Sequence, residues 1–209
     1  MVSKSMLVDK ETLADAKNGN LLAFEKIVAV YQKPILNYVY RLVKNRENAE
    51  DLTQETFIHL FTNVSRIDPE DNFRAWLYKI ATNVVYDWWR KKKRTKEISL
   101  INFFSEDRQE GVSIDLLVDK LPSYDLNGIE NAEDIARALE ELRPMHQLML
   151  LLFYYNDFTY KEMSEILNIP LWNVKTYLYQ ARKSLKEVLL KQGFKPTNLS
   201  PQQQYGLSF

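Results

Sequence analysis

Between Asn72 and Arg94 the chain reads NFRAWLYKIATNVVYDWWRKKKR, and its apolar residues Phe73, Trp76, Leu77, Ile80, Ala81, Val84 and Trp88 recur at steps of three and four. That spacing lines one face of an α-helix, whereas a half-buried strand would need a period of two. Off this stripe, Asn83, Tyr86, Arg90 and Lys93 fall at i, i+3, i+7 and i+10, with Trp89 beside them and an unbroken basic run from Arg90 to Arg94. Exposed aromatics stack on unpaired bases and basic side chains hold phosphates, so this second face has the chemistry of a single-strand platform. The same residues also suit a core helix with a basic end and with Trp88 and Trp89 both buried. Spacing alone leaves the two readings open.

The helical period extends to both sides. Asp9 to Lys17 forms a short helix ended by Asn18-Gly19-Asn20, and a longer one follows with Phe24, Ile27, Val28, Tyr31, Ile35, Tyr38, Val39 and Leu42 on its inner face. Pro34 lies inside that stripe and predicts a kink or a break. Asn45 is a suitable N-cap for the next helix, with Glu47 and Glu50 in its first turn. That helix turns Ala49, Leu52, Thr53, Thr56, Phe57, Leu60 and Val64 inward. Asp51, Gln54, Glu55, Ile58 and Thr62 lie on the other side. Two carboxylates, a carboxamide and an exposed isoleucine make a docking ridge for a basic partner, or a solvated face with an incidental isoleucine. The loop SRIDPED, residues 65–71, connects this helix to the platform helix and places its tip beside whatever the platform binds.

Charge is informative only locally. Lys+Arg and Asp+Glu both total 28, yet residues 88–96 hold six basic side chains and no acidic one. Residues 97–141 hold twelve acidic and three basic, and residues 158–195 seven basic and three acidic. Two basic modules therefore flank an acidic middle. Residues 97–129 lose the helical period and carry glycine, proline and many acids, which reads as an extended or disordered linker with a short helix possible near 114–118.

Beyond the linker the period resumes with Ile135, Ala138, Leu139 and Leu142. A second helix opens at Pro144, which suits a first helical position, and runs to Tyr155. Thr159 with Glu162 forms a capping box for TYKEMSEIL, Asn168-Ile169-Pro170 makes a tight turn, and a last helix runs from Leu171 to about Lys191. Its inner face carries Val174, Leu178, Ala181 and Leu185. Its outer face carries Trp172, Asn173, Lys175, Thr176, Tyr179, Arg182 and Lys183. Two helices with a short turn and basic residues on the second one's outer face describe a helix-turn-helix that reads duplex DNA, in preference to an ordinary helical hairpin.

Taken in order, AEDLTQETF (residues 49–57), FRAWLYKIATN (73–83), the basic run from Arg90, and FTYKEMSEILNIP with VKTYLYQARKSL (158–185) resemble bacterial extracytoplasmic-function sigma factors of the sigma-70 family. The resemblance covers about residues 21–94 and 132–190. It implies an all-α fold: two helical domains joined by a flexible acidic linker, the second containing the helix-turn-helix. The expected boundaries are 1–95, a linker at 96–130, 131–191, and a disordered tail at 192–209. It also implies core RNA polymerase, promoter DNA and an anti-sigma factor as partners. No cofactor, no metal and no direct membrane insertion are expected, and the chain is placed in the cytoplasm.

By this resemblance, Asp51, Gln54, Glu55 and Ile58 dock on the polymerase clamp. Arg66, Asp68, Asn72, Arg74, Asn83, Tyr86, Trp89, Arg90 and Lys93 open and hold the −10 element. Trp172, Asn173, Lys175, Thr176, Tyr179, Arg182 and Lys183 read the −35 element, and the acidic linker threads the polymerase cleft. The chain departs from the family where Trp172-Asn173 replaces a common Gly-Thr and where Tyr177 and Gln180 replace frequent arginines, so either an unusual −35 preference or weaker binding by that half is expected.

Two other function classes compete with this one. A stand-alone helix-turn-helix regulator would use the last helix similarly but leaves the Asp51 ridge and the platform unexplained. An enzyme has little to build on. The chain has no cysteine, no glycine-rich phosphate loop, and only two histidines, His59 and His146, without ligand spacing.

Overall fold

The computed structural model describes residues 8–68, 72–92 and 132–193. Every regular element among them is a helix. In order they are α1 (Lys10–Lys17), α2 (Leu21–Val43), α3 (Arg46–Asn63), a 3-10 turn (Val64–Arg66), α4 (Phe73–Lys92), α5 (Ala132–Glu140), α6 (Pro144–Leu150), a π turn continuing it (Leu151–Tyr155), α7 (Tyr160–Leu167) and α8 (Leu171–Lys191). The expected linker with its short helix, Lys93, the loop tip at 69–71 and the tail beyond Gly193 lie outside the described residues.

Helices begin where a polar side chain can accept from first-turn N–H groups that have no intrahelical partner. Asp9 accepts from Thr12 N at 2.7 Å, Asn20 from Leu22 N at 3.0 Å, and Asn45 from Asn48 N at 2.8 Å. Asn72 does the same for α4, accepting from Ala75 N at 3.1 Å. Of the kink or break expected at Pro34, the break does not occur: α2 runs from Leu21 to Val43 with Pro34 inside it. Pro34 has no N–H to donate back along the helix. However, Tyr31, Ile35 and Tyr38 around it are all buried, and their packing outweighs an interior-proline penalty of about 3 kcal/mol.

Ile27, Ile35, Tyr38 and Val39 of α2 meet Ala49 and Leu60 of α3 and Leu77, Ala81 and Val85 of α4 in one core, with Leu13 and Ala16 of α1 laid against it. Each fully buried aliphatic chain contributes about 1.5–3 kcal/mol. In the second module Ala138, Met149, Leu152, Met163, Leu167, Val174 and Ala181 play the same part. Among the described residues no helix is long and apolar enough to cross a membrane.

One polar chain crosses the first core. Thr82 Oγ1 donates to the Tyr78 carbonyl at 2.7 Å and lies 2.8 Å from the Tyr38 hydroxyl. A hydroxyl has one proton, so Tyr38 donates to Thr82. Complete burial pushes the Tyr38 pKa far above the usual tyrosine range and keeps it a donor, despite the opposing hydrogen bond with Thr82. Thr82→Val leaves the Tyr38 hydroxyl buried without an acceptor and should cost about 1–3 kcal/mol. Tyr38→Phe orphans no donor and should cost about 1 kcal/mol. Chemical denaturation of the two variants checks this order.

Candidate nucleic-acid interface

Three surfaces carry the residues singled out from the sequence. On α3, Asp51, Gln54, Glu55 and Ile58 all face solvent, and Ile58 is 56% exposed. His59 Nε2 lies 3.7 Å from Glu55 Oε1 at the edge of this ridge. The ridge is wider than its spacing suggested. Phe61, seven residues on from Gln54, is 50% exposed, and its ring meets Phe24 edge-on at 5.0 Å. Phe61 was not singled out; its signal was its place three residues after Ile58, opposite an aromatic of α2.

On α4 the platform is only partly as expected. Asn83 and Arg90 are exposed, and Arg90 pairs with Asp87 at 3.1 Å. Lys79, half-buried four residues before Asn83, shares that face and was missed. Tyr86 is not on it, being only 6% exposed. Trp89 is half-buried and packs against the core, as does Trp88, over whose ring Lys92 Nζ sits at 4.8 Å. The physical reason is that α4 is covered on two sides, by α2 and α3 and by α7. Its buried arc therefore spans Phe73, Leu77, Ala81 and Val84 on one flank and Ala75, Tyr78, Thr82 and Tyr86 on the other. At 3.6 residues per turn these positions cover more than half the circumference, where a one-sided stripe would leave Tyr86 outside.

Arg66 ends the 3-10 turn that follows α3 and Asp68 lies just beyond it, both exposed. Asn72 and Arg74, at the start of α4, are engaged by the second domain. Asn72 Nδ2 donates to Glu162 Oε1 at 2.6 Å, and Arg74 donates to the Asn156 carbonyl oxygen.

The helix-turn-helix forms as its sequence implies. Thr159 and Glu162 complete the capping box, with Thr159 N donating to Glu162 Oε2 at 2.7 Å. Asn168 takes a left-handed conformation, φ 53°, and Ser164 Oγ ties the turn by donating to the Ile169 carbonyl at 2.6 Å. Trp172 is 49% exposed at the start of α8. Thr176, Tyr179 and Lys183 follow it along the outer arc, Lys183 exposed and the other two half-buried, with Asn173 and Lys175 half-buried on the flanks. Arg182 is not free on that face. Its Nε donates to the Tyr154 hydroxyl at 2.7 Å, and its guanidinium lies 5.2 Å from the Phe153 ring centre. Tyr177, where the family often has arginine, is buried, and Gln180 is half-buried with its carbonyl oxygen inside. Those two departures therefore fall on the packed side of α8, and Trp172-Asn173 is the one that alters the outer arc.

The sigma-70 region 2 model matches residues 27–95 and the sigma-70 region 4 model residues 132–185. The chain is 30% identical over 187 residues to the ECF RNA polymerase sigma factor SigW of Bacillus subtilis, covering 86% of this chain and 96% of that protein. It is also 30% identical to the RNA polymerase sigma factor YlaC of the same organism, covering 81% and 93%. The fold is shared with the sigma factor RpoE of Bartonella quintana, solved with the anti-sigma factor NepR, at a TM-score of 0.58 and 22% identity over 80% of this chain and 96% of that one. It is shared also with CnrH, solved with the cytosolic domain of CnrY, at 0.61 and 19% identity over 88% and 97%. Both domains match in order, and a relative aligns over nearly its full length. The chain therefore belongs to the extracytoplasmic-function sigma factors of the sigma-70 family.

Proposed function

We propose that the chain is a promoter-specificity subunit that brings core RNA polymerase to promoters with −10 and −35 elements and starts their melting. One observation carries the reading. A domain with an exposed acidic-apolar ridge at Asp51, Gln54, Glu55 and Ile58 also presents an exposed polar-basic face on α4, and a helix-turn-helix domain follows it. A stand-alone regulator has no use for the ridge. The chain itself does no chemistry and acts inside the cell, where the polymerase is; the nucleotidyl transfer belongs to the polymerase. The structure of the similar sigma factor RpoE with the anti-sigma factor NepR supports a partner of that kind here.

Melting requires that unpaired bases be held. Unstacking costs a few kcal/mol per step, which phosphate contacts from basic side chains and stacking of a base on a guanidinium offset. Asn83, Arg90 and Lys79 are the residues best placed to hold the strand. Transcription by core polymerase on a genomic fragment library, with and without the chain, tests the function. Transcripts from discrete start sites that need both components are expected. Sequence-specific duplex binding by the chain alone, with no association with core, identifies a regulator instead.

Within α8 the two halves should behave differently, because base edges are read by the start of a recognition helix. Lys175→Ala should weaken promoter binding by about 1–3 kcal/mol and relax preference at one position. Arg182→Ala, held against Tyr154, should weaken binding uniformly across sequences and lower the salt slope by about one, as a phosphate contact does. Titrations of both variants on matched and mismatched duplexes at several ionic strengths check the split.

A further inference from the structure

The outer face of α8 carries side chains that suit one kind of base. Trp172 is 49% exposed, and Leu171 beside it is 45% exposed. Thr176 lies one turn beyond Trp172, and its hydroxyl donates to the Trp172 carbonyl at 3.1 Å. A threonine hydroxyl has one proton, so Thr176 is left with a methyl group and an acceptor oxygen to offer DNA. Asn173 stands half-buried on the flank of this pair, and among the described residues nothing hydrogen-bonds its carboxamide. Lys175 is the one cation between Leu171 and Ala181. Arg182, one residue further on, is engaged by Tyr154.

In the major groove guanine shows two acceptors, N7 and O6, and is read best by an arginine or a lysine. Thymine alone of the four bases shows a methyl group, which an apolar side chain meets. A large exposed ring with a threonine methyl one turn on is therefore a poor match for guanine and a good one for a methylated pyrimidine. Asn173 adds a second contact of the same preference, because a carboxamide pairs with adenine N6 and N7. Recognition helices meet base edges with their N-terminal residues, and Trp172 and Asn173 are the second and third residues of α8.

We propose that Trp172 and Thr176 form a reader of pyrimidine C5-methyl groups, with Asn173 holding an adenine beside it. The inference rests on the promoter-specificity reading above and names the base chemistry of its −35 surface. Two pyrimidines supply that methyl group, thymine and 5-methylcytosine. Methylation of a cytosine at this position then raises affinity as a thymine does.

The test uses holoenzyme assembled from the full chain and core RNA polymerase, and duplexes that it enriches from a randomised library. Each thymine of the enriched upstream element is replaced by uracil, which lacks only the methyl group. In a second series it is replaced by cytosine or 5-methylcytosine opposite guanine. Wild-type holoenzyme should bind the uracil duplex about fourfold more weakly at one or two thymines, the loss that follows from one buried methyl group. Trp172→Ala should bind thymine and uracil duplexes alike. Thr176→Ser keeps the hydroxyl and should shrink the methyl effect without changing the salt dependence. Trp172 is exposed, so thermal unfolding of its variant should match the wild type. An equal gain on methylating cytosine means that either pyrimidine serves, and a gain with thymine alone makes thymine the ligand. Equal binding of thymine and uracil duplexes by the wild type, or a methyl effect that survives Trp172→Ala, would overturn the proposal. So would a Trp172→Ala chain that associates poorly with core polymerase but keeps its choice of duplex, which puts Trp172 in a protein interface. In each of these cases duplexes are still enriched and the promoter-specificity reading stands. If the holoenzyme enriches no duplex, that reading falls and the methyl contact with it.

Discussion

Charge reversal of Asp51 and Glu55 to Lys should weaken binding to core RNA polymerase by several kcal/mol, enough to remove it from a pull-down at ordinary concentrations. Both carboxylates are exposed on α3, beside Gln54 and with Ile58 one turn on, so they present one surface with an apolar centre. A partner basic enough to suit that surface meets two like charges in the variant, and like-charge juxtaposition at an interface costs on the order of several kcal/mol. Neither residue belongs to the core cluster, so helicity and thermal unfolding should not change. A titration that finds wild-type affinity for core enzyme removes the ridge from the docking surface. Phe61→Ala is the companion variant. Its 50% exposure beside Phe24 makes it a second anchor of the same patch, and its loss should weaken docking with only a small change in stability.

The second large effect separates stability from melting on α4. Tyr86→Ala truncates a side chain that is 6% exposed, and deleting a buried aromatic costs about 3–5 kcal/mol. For a domain of this size that lowers Tm by more than about 10 °C. A pre-melted promoter bubble should not rescue the variant, because the lost function follows from lost folding. Asn83→Ala should do the opposite. Asn83 is exposed, so stability is unchanged, open-complex formation on duplex slows, and a bubble template restores much of the activity. Permanganate footprinting on both templates, with thermal unfolding of both variants, reads the difference. A stable Tyr86→Ala chain whose defect is cured by the bubble would place Tyr86 among the strand contacts after all.

The features that could be read along the chain are those decided within four or five residues. The Asn45 cap, the Thr159–Glu162 capping box, the Asn168-Ile169-Pro170 turn and the start of the last helix at Leu171 all depend on hydrogen bonds that reach no further than one helical turn. The inner faces of α3 and α8 were legible for the same reason: each meets its own domain on one side, so its period marks what is buried. Pro34 does not break α2, because its penalty is local while the packing that outweighs it comes from α3 and α4. The family resemblance, carried by ordered motifs across both domains, pointed to the fold and the order of the surfaces.

Only the tertiary structure decided which side chains on those surfaces are available. Asn72 and Glu162 are 90 positions apart, Arg74 and Asn156 are 82 apart, and the residues between them include the acidic middle of the chain. No periodicity connects such pairs. On α4, Tyr78 meets both Tyr38 of α2 and Phe158 of the second domain, so its buried arc is wider than the one stripe its period marks. Arg182 is similar on a smaller scale: its spacing puts it on the outer flank of α8, and a tyrosine 28 positions earlier decides that it is held there. A helix's own sequence specifies one buried face through its period. A second buried face is specified by whatever packs there, and that surface is written elsewhere in the chain.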